Sequence, residues 1–121
     1  MVVDEMIDWT RVDELCDEIG YDGFTEVVEL FLDEVEEVVM RIGAAPNPAT
    51  YEQDLHFLKG SAWNLGFADF GALCQDGERK AASGQAASVD IRAVINSYGA
   101  SKAVFIDGLA QMAEGRAPNA A

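Results

Sequence analysis

Basic residues are scarce. Eight lysines and arginines stand against 22 acids, for a formal charge of −14. A protein that grips DNA or RNA needs a basic face, and an anionic bilayer surface asks for the same. The sequence argues against both kinds of partner. There are two cysteines, Cys16 and Cys74, far apart and in no CxxC or Cys/His spacing, which speaks against zinc. Both fall on apolar helical stripes and read as small core residues. No apolar run approaches the ~20 residues of a membrane span. The N-terminus, MVVDEMID, is acidic and lacks the apolar run of a signal peptide. These absences point to the reducing cytoplasm. Histidine is scarcest of all, with His56 alone. A ferritin-like di-metal site needs Glu-x-x-His on two helices, so the acid-rich stretch 26–37 reads as a solvated face instead. No GxxxxGK[ST] loop is present, so the chain is not expected to phosphorylate itself from ATP.

Half of the residues are apolar, which suits a packed globular domain, and the length suits one core. The whole chain, 1–121, is expected to form a single domain with its core at about 7–114 and a flexible tail at 115–121. Apolar residues recur at helical spacing throughout. Asp8 is placed to cap a short helix through about Glu18 that turns Trp9, Val12, Leu15, Cys16 and Ile19 inward and ends at Gly20. A second helix is expected from Gly23 to Ile42, with Phe24, Val27, Val28, Phe31, Val35, Val38, Val39 and Ile42 as its stripe. After a turn at 43–47, Asn47 and Pro48 open a third helix that runs to Leu65 and is broken by Gly66. A fourth covers Ala68 to Ala82, with Phe70, Leu73, Cys74 and Ala81 inward. The last runs from Val89 to about Glu114, with a possible kink at Gly99 and Lys102. The expected fold is all-α: an antiparallel four-helix bundle with a short N-terminal capping helix.

The chemistry gathers at His56–Gly66, HFLKGSAWNLG. On a helix, Tyr51, Leu55, Leu58, Ala62 and Leu65 form one stripe. His56 lies round towards solvent, with Lys59 and Gly60 as its i+3 and i+4 neighbours. Imidazole is a nucleophile near neutral pH and carries covalent groups. An ammonium three residues on can hold a phosphoryl oxygen. A glycine on an exposed helical turn costs roughly 1 kcal/mol against alanine. What it provides here is bare backbone where a bulky phosphoryl donor can approach in line.

The same stretch resembles the motif of histidine-containing phosphotransfer (HPt) domains: His, any residue, Leu, Lys, Gly, Ser, a small residue, two variable residues, Leu, Gly. His56, Leu58, Lys59, Gly60, Ser61, Ala62, Leu65 and Gly66 all match. The helix spacing from Ile7 to about Glu114 is similar as well. The resemblance implies that His56 is phosphorylated on Nε2 and relays the group between aspartates of response-regulator receiver domains, or from a hybrid sensor histidine kinase. It implies that Lys59 lies by the phosphoryl group, that Gly60 clears the docking surface, and that Glu78, at the matching position of the next helix, hydrogen-bonds the imidazole Nδ1. No cofactor is expected on this chain; the Mg²⁺ belongs to the partner receiver. Two positions depart from the family's pattern. Trp63 is large where the family is variable, and Gly77 replaces an apolar residue beside Glu78. Phe57, Trp63 and Arg79 are candidate docking residues, with burial or an ordinary surface role as the alternative for each. Nothing suggests a long dimerising coiled coil, so a monomer is expected. The rival reading is a helical interaction module that binds a kinase or receiver without accepting phosphate.

Overall fold

A computed structural model describes residues 6–113. Among these the chain forms four α-helices and no strand: α1 (Trp9–Ala44), α2 (Tyr51–Leu65), α3 (Ala68–Ala82) and α4 (Ile91–Ala113). The short connections force successive helices to run antiparallel. α1 packs on α2 and α4, and α3 on α2 and α4, which closes a four-helix ring. The expected tail at 115–121 lies outside the described residues.

α1 is two helices in one element. Gly20 takes φ 79° and ψ 161°, a non-helical conformation with positive φ that glycine adopts without strain. It separates the segment 9–19, the expected capping helix, from the long segment 21–44. The Asp8 carboxylate accepts from the Arg11 backbone N–H, as a cap should. The capping segment buries Trp9, Val12 and Leu15, and Trp9 stacks on Phe105 of α4 at 6.1 Å. Ile19 is exposed rather than inward, because it stands at the break.

The expected apolar stripe of 21–44 is buried at Phe24, Val28, Val35, Val39 and Ile42, and half-buried at Val27, Phe31 and Val38. Leu32 joins the buried set. α2 starts later than Pro48: residues Pro48–Thr50 form a 3₁₀ turn, with Asn47 Oδ1 accepting from the Ala49 N–H. This junction is tied to α1. Arg41 donates to both carboxylate oxygens of Asp54, at 2.7 and 3.2 Å, and the Thr50 hydroxyl donates to Asp54 at 2.9 Å.

Tyr51, Leu55, Leu58, Ala62 and Leu65 are all buried, each at most 4% exposed. Closing Leu55 and Leu58 off from water contributes about 1.5–3 kcal/mol apiece. Gly66 ends α2 at φ 83°, and a Cβ there would also meet the Asp8 carbonyl oxygen at 2.7 Å. The Asp8 N–H donates to the Gly66 carbonyl, and the Ala68 N–H to the Met6 carbonyl. The N-terminal segment is thus clipped to the turn between α2 and α3.

Leu73 is half-exposed rather than inward; Phe70, Gly71, Cys74 and Gly77 make the buried face of α3. α4 starts at Ile91, not Val89, and runs unbroken through Gly99 and Lys102. A kink is not needed there, since Lys102 reaches out to Glu36 and Gly99 lies in open space. Phe67, Phe70, Tyr98 and Phe105 form an aromatic cluster that joins the α2–α3 turn and α3 to α4.

Candidate functional site

Burial of the Leu55 and Leu58 stripe fixes the rotation of α2 and sends His56 to the surface, where its side chain is 70% exposed. The ring is nonetheless oriented. Nδ1 lies 2.8 Å from Oε2 of Glu78 on α3. Facing an acceptor-only carboxylate, Nδ1 carries the proton, so Nε2 of the neutral ring keeps its lone pair.

That contact depends on Gly77. A Cβ at Gly77 would come within 2.8 Å of Leu55 Cδ1 and 3.3 Å of Val89 Cγ1. The missing side chain lets α3 press against the Leu55 turn and delivers the next residue, Glu78, to the imidazole one place along from Leu55. The departure from the family's apolar residue at Gly77 therefore serves the placement of Glu78.

The other oxygen of Glu78 is also occupied. Lys59 Nζ lies 2.7 Å from Oε1. The Glu78 carboxyl is held below the usual carboxylate range, first by the Lys59 hydrogen bond and then by His56, against a desolvation cost that acts the other way. Gly60 is exposed, and a Cβ there would meet nothing within 4 Å. The surface one helical turn beyond the imidazole is therefore open.

A family model for the Hpt domain matches residues 26–114. The chain belongs to the Hpt domain family. Hpt domains carry out histidine phosphotransfer in two-component signalling, and as a family they interact with receiver domains and kinases. No curated protein and no solved structure matches the chain. The match to the Hpt domain begins inside the 21–44 segment of α1 and leaves the capping segment outside it.

In this Hpt domain the three candidate docking residues all reach the surface. Phe57 is 39% and Trp63 44% exposed, and Arg79 is exposed beside Glu78. They do not form one patch with equal access. Trp63 lies across α3 at Gly71, where a Cβ would collide with its indole nitrogen. Its ring also sits 6.0 Å from Lys59 Nζ. Nothing local in the sequence marks Gly71, because its role depends on the Trp63 ring of another helix standing opposite it.

Cys74 is fully buried and its thiol is pushed up to about 12, chiefly by burial and then by Glu78. At neutral pH it is an inert core residue. Cys16 is half-buried; burial first, then Asp17 and Asp13, raise its thiol as well. Among the described residues no group of three or more His, Cys, Asp or Glu is arranged to hold a metal ion. No described helix is long and apolar enough to cross a membrane.

Proposed function

We propose that this Hpt domain is a phosphoryl carrier: His56 accepts a phosphoryl group on Nε2 from a receiver-domain phospho-aspartate and passes it to another receiver aspartate. The observation that supports this most is the pairing of a 70% exposed ring with an Nδ1 engaged at 2.8 Å. The nucleophilic nitrogen is presented and its tautomer is set.

Transfer needs little covalent work from the carrier. The phosphoryl transition state is loose, and catalysis consists of positioning and charge stabilisation. The partner receiver supplies the acyl phosphate and the Mg²⁺ that offsets its charge. This chain supplies the oriented imidazole, the Lys59 ammonium and the open backbone at Gly60. Phe57, Trp63 and Arg79, exposed on α2 and α3, serve as docking contacts. A surface of charge −14 repels an acidic receiver at long range, so short-range apolar contact around His56 holds the complex. The whole chain works as one Hpt unit, a monomer in the cytoplasm, between a hybrid sensor kinase and response regulators.

Incubation with a phosphorylated receiver should label the chain with an acid-labile, alkali-stable phosphate. His56→Gln should remove the label completely while leaving the melting temperature within a degree or two, because the ring is exposed. Label that survives in His56→Gln overturns the proposal. Binding to a receiver with no label on the wild type would instead identify a non-phosphorylated interaction module.

A further inference from the structure

Lys59 stands three residues after the histidine, yet its ammonium is already engaged. Nζ bonds Glu78 Oε1 at 2.7 Å and sits 6.0 Å from the centre of the Trp63 ring, within cation–π range. The Lys59 side chain is only 21% exposed. Trp63 is itself held against α3 by the room at Gly71. A single carboxylate thus serves two groups with opposite needs. Oε2 takes the imidazole N–H and Oε1 takes the ammonium.

Resting on the carrier reading above, we infer that Lys59 is a parked cation. Glu78 and Trp63 hold it while the ring is bare, and it exchanges Glu78 for the phosphoryl oxygens once His56 is phosphorylated. Trp63, seated on Gly71, is the positioning residue of the parked state.

The charge balance drives the exchange. The neutral ring, with its proton on Nδ1, attacks phosphorus through the Nε2 lone pair. The Nε2–P bond forms, the P–O bond to the donor aspartate breaks, and that carboxylate leaves with the electron pair. No proton is lost from the ring, so the imidazole becomes positive and the group on Nε2 carries about two negative charges. Two attractions then favour one move. The imidazolium gains from a Glu78 carboxylate no longer shared with an ammonium, and the phosphoryl oxygens gain from Lys59. The groups facing the ring are Glu78 from α3 and, on the rim of the same shallow cleft, Glu52 from α2. Lys59 is bonded to the other oxygen of Glu78, Arg79 is exposed beside that residue in the chain, and the buried Cys74 thiol is uncharged. An unshared Glu78 therefore keeps the phosphorylated ring protonated, the form in which the phosphoryl group leaves most readily.

The test uses the purified chain and phosphoramidate, with ³¹P NMR to count phosphohistidine and tryptophan emission to follow Lys59. Trp9 is buried against Phe105 and gives a constant background; a Trp63→Phe control isolates the Trp63 signal. Emission should change as phosphohistidine forms and revert on hydrolysis. Lys59→Met should form phosphohistidine more slowly, and the phosphohistidine that ³¹P NMR counts in it should bring no emission change. Glu78→Gln keeps an acceptor for Nδ1 but not the charge. Its bare form should already emit like the phosphorylated wild type. Its phosphohistidine should hydrolyse roughly two- to fivefold more slowly near neutral pH, the size of a part-exposed charge pair, with the pH midpoint of hydrolysis moved down. Full phosphorylation without an emission change, or a change that persists in Lys59→Met, overturns the parked cation and leaves the carrier reading intact. If no phosphohistidine forms with phosphoramidate or with a receiver, the carrier reading falls. The bare Glu78→Gln emission then still decides whether Glu78 holds Lys59 against Trp63, and emission equal to the wild type's refutes it.

Discussion

Two carboxylates in this molecule each hold a lysine and an aromatic donor, and they do different things. On the outside of the α2–α3 pair, Glu78 takes His56 on one oxygen and Lys59 on the other. Between α1 and α4, Glu36 takes Lys102 and the Tyr98 hydroxyl on the same oxygen, the latter at 2.7 Å. The parts are nearly the same; the surroundings differ. Tyr98 is 5% exposed and lies in the aromatic cluster, so its hydroxyl has one use, which is to satisfy Glu36. Burial first, then Glu36, holds that phenol far above its ordinary range. His56 is 70% exposed, and its second nitrogen makes no hydrogen bond to a described residue. A carboxylate with two donors makes an interhelical strut when both donors are spent on it. On the proposed function, it makes a chemical site when one donor has a second, unspent atom.

Deleting each carboxylate should separate the two most clearly. Glu36→Ala leaves a nearly buried hydroxyl and a half-exposed ammonium without their acceptor, and should cost about 2 kcal/mol in urea unfolding. Glu78→Ala leaves groups that water can reach and should cost less than about 1 kcal/mol. The order should invert in phosphotransfer, where Glu78→Ala slows the reaction and Glu36→Ala does not. Equal destabilisation by the two would mean that Glu78 is a strut as well.

Gly77→Ala attacks the placement of Glu78 without touching its chemistry. The added methyl meets Leu55 Cδ1 at 2.8 Å, in a region where Leu55 is fully buried and has little room to yield. Overpacking outweighs the better helix propensity of alanine, for a net loss of about 1–2 kcal/mol. As α3 moves out, Nδ1 loses its partner, and the ring should no longer be held in the Nδ1–H tautomer, which ¹⁵N chemical shifts of the imidazole would read. Unchanged ring nitrogen shifts with normal stability would show that α3 does not depend on this close approach.

Titration with acid tests the strut from another side. Lys102 first, then Tyr98, lower the Glu36 carboxyl below its ordinary value. The unfolded chain therefore binds that proton more readily than the folded one. The stability this contributes is complete above the unfolded value of about 4.3 and is lost as pH falls through the lower folded value. Glu78 adds a term of the same sign. Tyr98→Phe removes one of the two bonds that lower Glu36. It should cost about 1 kcal/mol at neutral pH and make the loss of stability on acidification shallower. A slope identical to the wild type's would show that Tyr98 does not bias Glu36.

The positions that were legible in the sequence were those set by periodicity. Leu55, Leu58, Ala62 and Leu65 announced both the buried face of α2 and the exposure of His56, because a 3.6-residue repeat fixes both at once. Asp8, Gly20 and Gly66 marked helix ends through cap and turn chemistry. The resemblance pointed to Lys59 and Gly60 within the motif and to Glu78 on the next helix, and Glu78 does meet the imidazole Nδ1. Pairings between helices were not legible. Nothing local to Glu36, Tyr98 or Lys102 says that they meet, and the acid-rich stretch around Glu36 read simply as a wet face. Gly77 and Gly71 were misleading or silent for a related reason. A glycine's effect on packing depends on which side chain of another helix stands opposite, Leu55 in one case and Trp63 in the other. Ile19 and Leu73 fit the period but stand at the edge of the core, where an apolar residue can remain half in water.

Gly60 gives the smallest effect and the cleanest separation of stability from function. Its Cβ position is empty space on an exposed turn of α2. Nothing in the fold requires glycine there, unlike Gly66 or Gly77. Gly60→Ala should therefore raise stability by about 0.5–1 kcal/mol through helix propensity alone, seen as a higher urea midpoint at unchanged slope. Gly60→Gln should be close to neutral in stability and yet obstruct transfer, since a long side chain at i+4 stands over the imidazole on the face a receiver must approach. If Gly60→Gln transfers at the wild-type rate, the open backbone is not kept for a partner. If Gly60→Ala fails to stabilise, the glycine has a role within the fold, which its empty surroundings do not show.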